Sequence, residues 1–154
     1  MLAICVAVVT VRAAVDVPLE LPESARAATK IVLATVTHQE AVFGESAFGD
    51  QLILTHVTLQ VDETMKGAHQ ADVVVTLEGG TIGDLTLDVS DMPKMTDGQR
   101  AVLFLTSDPT GEYVPYGRGS GVMEVDASDN VPDIGLTVAE LRASVKAALA
   151  AGGR

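Results

Sequence analysis

Residues 51–65, QLILTHVTLQVDETM, place Ile53, Val57, Leu59, Val61 and Met65 on odd positions, and His56, Thr58, Gln60, Asp62 and Thr64 on even ones. Side chains alternate across a strand with period two, so this segment predicts a strand with one dry and one wet face. The same alternation predicts a strand at 72–78, with Val73, Val75 and Leu77 inward. It predicts another at 84–89, where Leu85, Leu87 and Val89 share a face opposite Asp84, Thr86 and Asp88. Residues 30–37, 112–116 and 122–126 read as further strands. Residues 101–106, AVLFLT, are apolar on both sides and predict the most buried strand, covered on two faces. Turn residues fall between these runs, at Gly79-Gly80, Asp97-Gly98 and 107–111, and Gly117, Gly119 and Gly121 precede the last strand as bends. The stretch 38–50, HQEAVFGESAFGD, reads as a loop broken by Gly44 and Gly49. Strands spaced roughly 8–12 residues apart with turns between them argue for a small barrel or sandwich.

Two helical signals flank the strands. Residues 15–28, with Pro18 and Pro22, predict an extended lead-in and a short turn of helix. After a polar linker at 127–135, residues 136–151 predict a helix. Thr137 is its N-cap, Glu140 completes a capping box, and Leu136 with Leu141 forms a hydrophobic staple. Leu141, Val145 and Leu149 make a narrow apolar stripe that packs this helix across the barrel or plugs one end.

Composition narrows the function classes. The chain is 47% hydrophobic but only 3% aromatic, with no Trp, so its core is built from Val, Leu, Ile and Ala and stacking platforms for bases or sugars are few. Ten Lys and Arg against twenty-one Asp and Glu give a net charge of −11, which repels phosphate backbones and anionic lipid and argues against nucleic-acid binding. Residues 1–14, MLAICVAVVTVRAA, read as a secretory signal segment, the apolar run being too short to span a bilayer as a helix; a strand is the alternative for the same residues. Removing them would take away Cys5, the only cysteine. An exported chain without disulfides fits a bacterial secreted or periplasmic setting. The expected organisation is a signal segment at 1–14, a β-barrel domain at 15–126, the linker at 127–135 and the helix at 136–151.

Candidate chemistry is sparse. His38, His56 and His69 stand singly, outside any metal-ligand spacing. Ser46 in GESAFG misses the nucleophile-elbow spacing, because Phe48 holds the place a glycine needs. The glycines of 117–121 lack the Lys-Ser/Thr ending of a phosphate loop and open onto a strand. The oxygen-bearing groups at Asp126, Asp129, Asn130 and Asp133, and at Asp84, Asp88 and Asp91, lack the calcium-loop spacing and read as solvated surface. The expectation is a non-enzymatic chain with no catalytic residue, cofactor or metal. Its partner-binding candidates are Val42, Phe43, Glu45 and Phe48, in a long exposed loop singled out because Val42, Phe43 and Phe48 are apolar.

Several motifs carry a resemblance: ATKIVLATVT at 28–37, the strand running into VDETMKG at 61–67, a Gly-Gly hairpin, a Met-Pro loop at 92–93, the Gly-x-x-x-x-L-F-L strand and GEYVPYGRGSGVMEV at 111–125. Together, over about 100 residues, they resemble a family of uncharacterised bacterial secreted proteins sometimes found alongside matrixin-type metalloproteases. More distantly, the first strand and the strand ending in Met65-Lys66-Gly67 are similar to the N-terminal domain of tissue inhibitors of metalloproteinases. That resemblance implies an OB-like Greek-key antiparallel barrel and a protein partner, with association with or inhibition of a secreted metalloprotease as the expectation. Those inhibitors chelate zinc through an N-terminal cysteine, which a chain starting near Ala14 lacks, so no inhibitory residue carries over. The rival expectations are a small-ligand carrier using the barrel mouth, and a structural envelope domain.

Overall fold

The computed structural model describes residues 20–46 and 49–153; the signal-like residues 1–14 and the candidate Phe48 lie outside the described residues. Ten strands and two helices follow one another there. The first helix is α1 (Leu21–Ala27), followed by β1 (Lys30–Glu45), β2 (Gln51–Lys66) and β3 (Asp72–Glu78). A small hairpin of β4 (Gly80–Ile82) and β5 (Leu85–Leu87) leads to β6 (Arg100–Ser107), β7 (Tyr113–Pro115), a 3₁₀ turn at Arg118–Gly121 and β8 (Val122–Val125). The short strands β9 (Asn130–Val131) and β10 (Leu136–Thr137) run into α2 (Val138–Ala151).

The fold is mostly β, a ring-like sheet of five strands with a C-terminal helix. Around the ring, β1 pairs with β2, β2 with β3, β3 with β7, β7 with β6, and β6 returns to β1, while β8 lies on β6 beside β7. The weakest join is β3–β7, a single parallel bridge at Val75 and Tyr113. Bulges curl the long strands. The β1–β2 register slips at Ile31/Val32 and Leu33/Ala34, leaving Met65 and Asp62 of β2 unopposed. An extra residue in one strand bends it and raises its twist, which a ring this small requires.

Two apolar clusters share the sheet. Inside the ring lie Val32, Ala34 and Val36 of β1, Val57 and Leu59 of β2, Val73, Val75 and Leu77 of β3, and Ala101, Leu103 and Leu105 of β6. Outside it, Ile31, Leu33, Val102, Phe104, Met123 and Val125 pack against Ala25 and Ala28 and against Val138, Leu141, Val145 and Ala148 of α2. This double cover is why β6 is apolar at every position from Ala101 to Leu105, as the sequence predicts for 101–106. The helix lies across the outer face of the sheet. Its buried side is Val138, Leu141, Val145 and Ala148, with Leu149 only partly covered. Met65 joins this outer cluster, because the bulge at Asp62 turns it away from the face that Ile53, Val57 and Leu59 occupy.

The capping box forms as expected: Glu140 N–H donates to Thr137 Oγ1 at 3.2 Å, and Thr137 N–H donates to Glu140 Oε2 at 2.8 Å. Thr137→Ala should therefore remove about 1 kcal/mol of stability, read as a lower urea midpoint at unchanged slope. The 127–135 stretch is built into the fold, since β9 pairs with β10 and Val131 is fully buried. Two expectations need correction. The predicted strand 84–89 shortens to Leu85–Leu87, and Leu85 is 61% exposed, because its only partner is the three-residue β4 and no layer covers the hairpin tip. The predicted loop 38–50 is mostly strand: β1 runs on to Glu45, with its last residues paired to Gln51–Val57 of β2.

Candidate functional site

The extension of β1 sets the geometry of the rim. A third register slip leaves Thr37 unopposed, and it reverses which residues face the inside. Before it, Val32, Ala34 and Val36 point inward; beyond it, Gln39, Ala41 and Phe43 stand opposite Val57, Thr55 and Ile53 and so share the inner side. His38, Glu40 and Val42 turn to the outer side. The pairing of β1 with β6 ends at Thr35, and Val36 then exchanges bonds with Gln99 and Gly98. From His38 to Glu45 the edge of β1 away from β2 has no strand partner among the described residues.

The β1–β2 hairpin closes through Ser46, whose N–H donates to the Asp50 carbonyl at 2.8 Å, while Gly49 N–H donates to the Ser46 carbonyl at 2.9 Å. Ser46 thus links two strands and leads into no helix. Of the partner-binding candidates, Val42, Phe43 and Glu45 lie on β1 and not in a loop, because they pair with Leu54, Ile53 and Gln51. Phe43 is 63% exposed, Glu45 is exposed and Val42 is half-buried, so the three stay within one strand end but on different faces.

Beside this strand end the ring mouth opens as a cleft of about 280 Å³, bounded by Gln39, Thr55, Glu78, the β4–β5 hairpin and the 88–95 loop, with buried Met95 beneath. The hairpin sits tightly on the sheet. Gly80 has φ +142°, and a Cβ there would come within 2.5 Å of Thr55 Oγ1 and 3.3 Å of Ala41 Cβ. Thr55 Oγ1 also donates to the Gly79 carbonyl at 2.6 Å. The other wall is pinned by Arg118, whose backbone adopts φ +59°. Its guanidinium donates to Glu78 Oε2 at 2.8 Å and to both carboxylate oxygens of Asp91. Those hydrogen bonds hold the Asp91 carboxyl below its ordinary pKa and raise the guanidinium's own. Glu78 and Asp91 are thereby spent on architecture. Across the cleft Asp88 pairs with Lys94 at 3.2 Å, with both side chains well exposed, a pair of little energetic weight.

The remaining titratable groups are dispersed. His56 lines a shallow outer groove with Val74, Thr76, Glu112 and Tyr113, where Thr76 Oγ1 donates to Glu112 Oε2 at 2.6 Å. His38 and His69 are exposed. Among the described residues, no group of three or more His, Cys, Asp or Glu is placed to hold a metal ion. Lys30 is the least expected group, only 2% exposed on the first residue of β1. Its ammonium donates to the Ala68 carbonyl and lies 5.7 Å from the centre of the Tyr113 ring, and burial pushes its pKa down. It closes the end of the ring opposite the mouth. At 126–130 the Asp126 carboxylate accepts from the Ser128 and Asn130 amides, which lowers its pKa. Asp129 pairs with Arg100 at 2.7 Å. The Asp126 carboxylate organises its own turn, and Asp129 ties that turn to β6.

Sequence reasoning missed the cleft and the Arg118 clamp, whose partners lie 27 and 40 residues away. The bulge did leave a signal. Inward apolar positions are even at Val32, Ala34 and Val36 and odd at Ala41 and Phe43, a change of phase within one run. Neither helix among the described residues is long and apolar enough to cross a membrane. No family model matches the chain, and no curated protein aligns with it.

Proposed function

We propose that the chain is an OB-like Greek-key barrel that works as an exported, non-enzymatic protein-binding module, with its contact surface at the far end of the β1–β2 hairpin. The strand order supports the barrel reading: β1, β2 and β3 follow as a meander and β6 returns to lie beside β1, the Greek-key order. The observation that carries the binding reading is Phe43. A large apolar side chain 63% exposed at a strand end beside an open cleft is suited to anchoring a partner. The sequence resemblance makes a secreted metalloprotease the preferred partner, by association or restraint. The net charge of −11 favours a partner surface rich in Lys and Arg.

The test compares capture from the source's secreted and envelope fractions by the wild-type chain and by Phe43→Asp. Because Phe43 is exposed, the substitution should change stability by less than about 0.5 kcal/mol. It should weaken capture of a metalloprotease at least tenfold. Equal retention by both proteins, or no metalloprotease on the folded wild-type chain, contradicts this reading.

A second reading, a small-ligand carrier, is favoured by the mouth cleft of about 280 Å³, close to the lower end of ligand pockets. The ring interior beneath it is filled by buried Val, Leu, Ala and Met side chains, so a ligand would sit at the rim.

A further inference from the structure

The free edge of β1 has a definite hydrogen-bonding pattern. In an antiparallel pair, residues alternate between exchanging bonds with the partner strand and pointing their N–H and C=O away from it. Ser46 bonds Asp50 at the hairpin end, so Glu45, Phe43, Ala41 and Gln39 fall on the alternate positions and aim their backbone groups away from β2. The opposite end agrees: Val36, inward-facing like them, aims both of its backbone groups at Gln99 and Gly98. Among the described residues, nothing bonds the outward N–H and C=O of Gln39, Ala41, Phe43 and Glu45. The vacant line continues that of β6, which turns away at Gly98.

We infer that this edge takes up an extended, lysine- or arginine-bearing segment of a partner protein as an additional strand in line with β6. The inference rests on the rim-binding reading above and names its mode. Strand addition uses a row of unpaired backbone groups for affinity and the flanking side chains for selection. Here the flanking side chains are anionic and aromatic. Glu45 stands at the outer end and Glu40 projects from the outer face. Asp97 is held at the inner end by Gln39, whose Nε2 donates to its Oδ1 at 3.1 Å. Phe43 offers an exposed ring on which a cationic side chain can lie. A second copy of the chain is the poorer occupant, because it would bring a charge of −11 against −11 and Glu45 against this same acidic edge. Edge charges of this kind deter self-pairing, yet they attract a cationic strand.

The test is amide exchange on the full chain with an eight-residue peptide of alternating lysine and valine, a twin carrying a central proline, and an analogue with glutamate in place of lysine. The lysine peptide should slow exchange at the amides of Gln39, Ala41, Phe43 and Glu45 at least tenfold. The proline twin and the glutamate analogue should not. Ala41→Pro removes one outward donor without touching a β1–β2 bond, and should weaken the lysine peptide at least tenfold. Protection elsewhere, equal binding of all three peptides, or unchanged affinity in a folded Ala41→Pro chain would overturn strand addition. Concentration-dependent dimerisation through this edge in sedimentation would overturn the choice of occupant. Failure of this mode alone is recognisable: the captured protease would then depend on Phe43 but not on the Ala41 N–H.

Discussion

Gly121→Ala should lose about 3 kcal/mol or more, the largest single loss expected from adding one methyl group to this protein. An added Cβ would lie 2.1 Å from the Tyr116 carbonyl oxygen, 3.0 Å from the Phe104 carbonyl oxygen and 3.0 Å from the Tyr116 nitrogen. All three are backbone atoms, so no side chain can swing aside. Tyr116 N–H donates to the Phe104 carbonyl at 2.8 Å, and Phe104 is fully buried in the cluster beneath the helices. Relief therefore requires moving β6, the strand that holds β1, β7 and β8 together. For a chain of this length the loss corresponds to a fall in Tm of about 10 °C, measurable by calorimetry. A fall within about 2 °C would mean that the turn yields without disturbing β6.

Lys66→Met should cost about 2–3 kcal/mol and loosen α1. The Lys66 ammonium donates to the carbonyls of Ala25 at 2.9 Å, Arg26 at 2.7 Å and Ala28, the last carbonyls of that helix. Carbonyls at a helix C-terminus lack intrahelical donors, and the helix dipole favours a cation there. Ala25 and Ala28 are buried, so water replaces the ammonium poorly. Methionine keeps most of the side-chain volume and removes the charge, which separates hydrogen bonding from packing. A lowered urea midpoint with faster exchange at the Ala28 amide, which bonds Ser24, is the expected pair of results. Unchanged exchange there would show that α1 is held by its apolar contacts alone.

The Lys66 contact also explains a motif that was visible in the sequence but not interpretable from it. In VDETMKG, Glu63 receives both Arg142 Nε at 2.6 Å and Arg142 Nη2 at 2.7 Å, tying β2 to α2, while Lys66 caps α1 three residues on. Spacing identified a strand end; the partners, as far as 79 residues away, could not be read from it. Period-two alternation located β3 and the interior face of β2, and the doubly apolar run located β6. It failed where bulges shift the phase, at Thr37 and Asp62, and where the β4–β5 hairpin stands on the sheet with a side uncovered. Phe43 and Glu45 were legible as exposed candidates. Their setting was not, because Gly44 and Gly49 suggest a broken loop, whereas Gly44 is accommodated within β1 opposite Leu52. The free edge follows from where the β6 pairing stops, and no local pattern encodes that.

The most direct measurement is the footprint of the captured partner on the chain, read by amide exchange on the isolated complex. Partner contact at the β1–β2 hairpin predicts slowed exchange at Gln39, Ala41, Phe43 and Glu45, with the outer α2 surface and the groove around His56 and Glu112 unchanged. Protection confined to α2 or to that groove, with the β1 edge still exchanging freely, would contradict it.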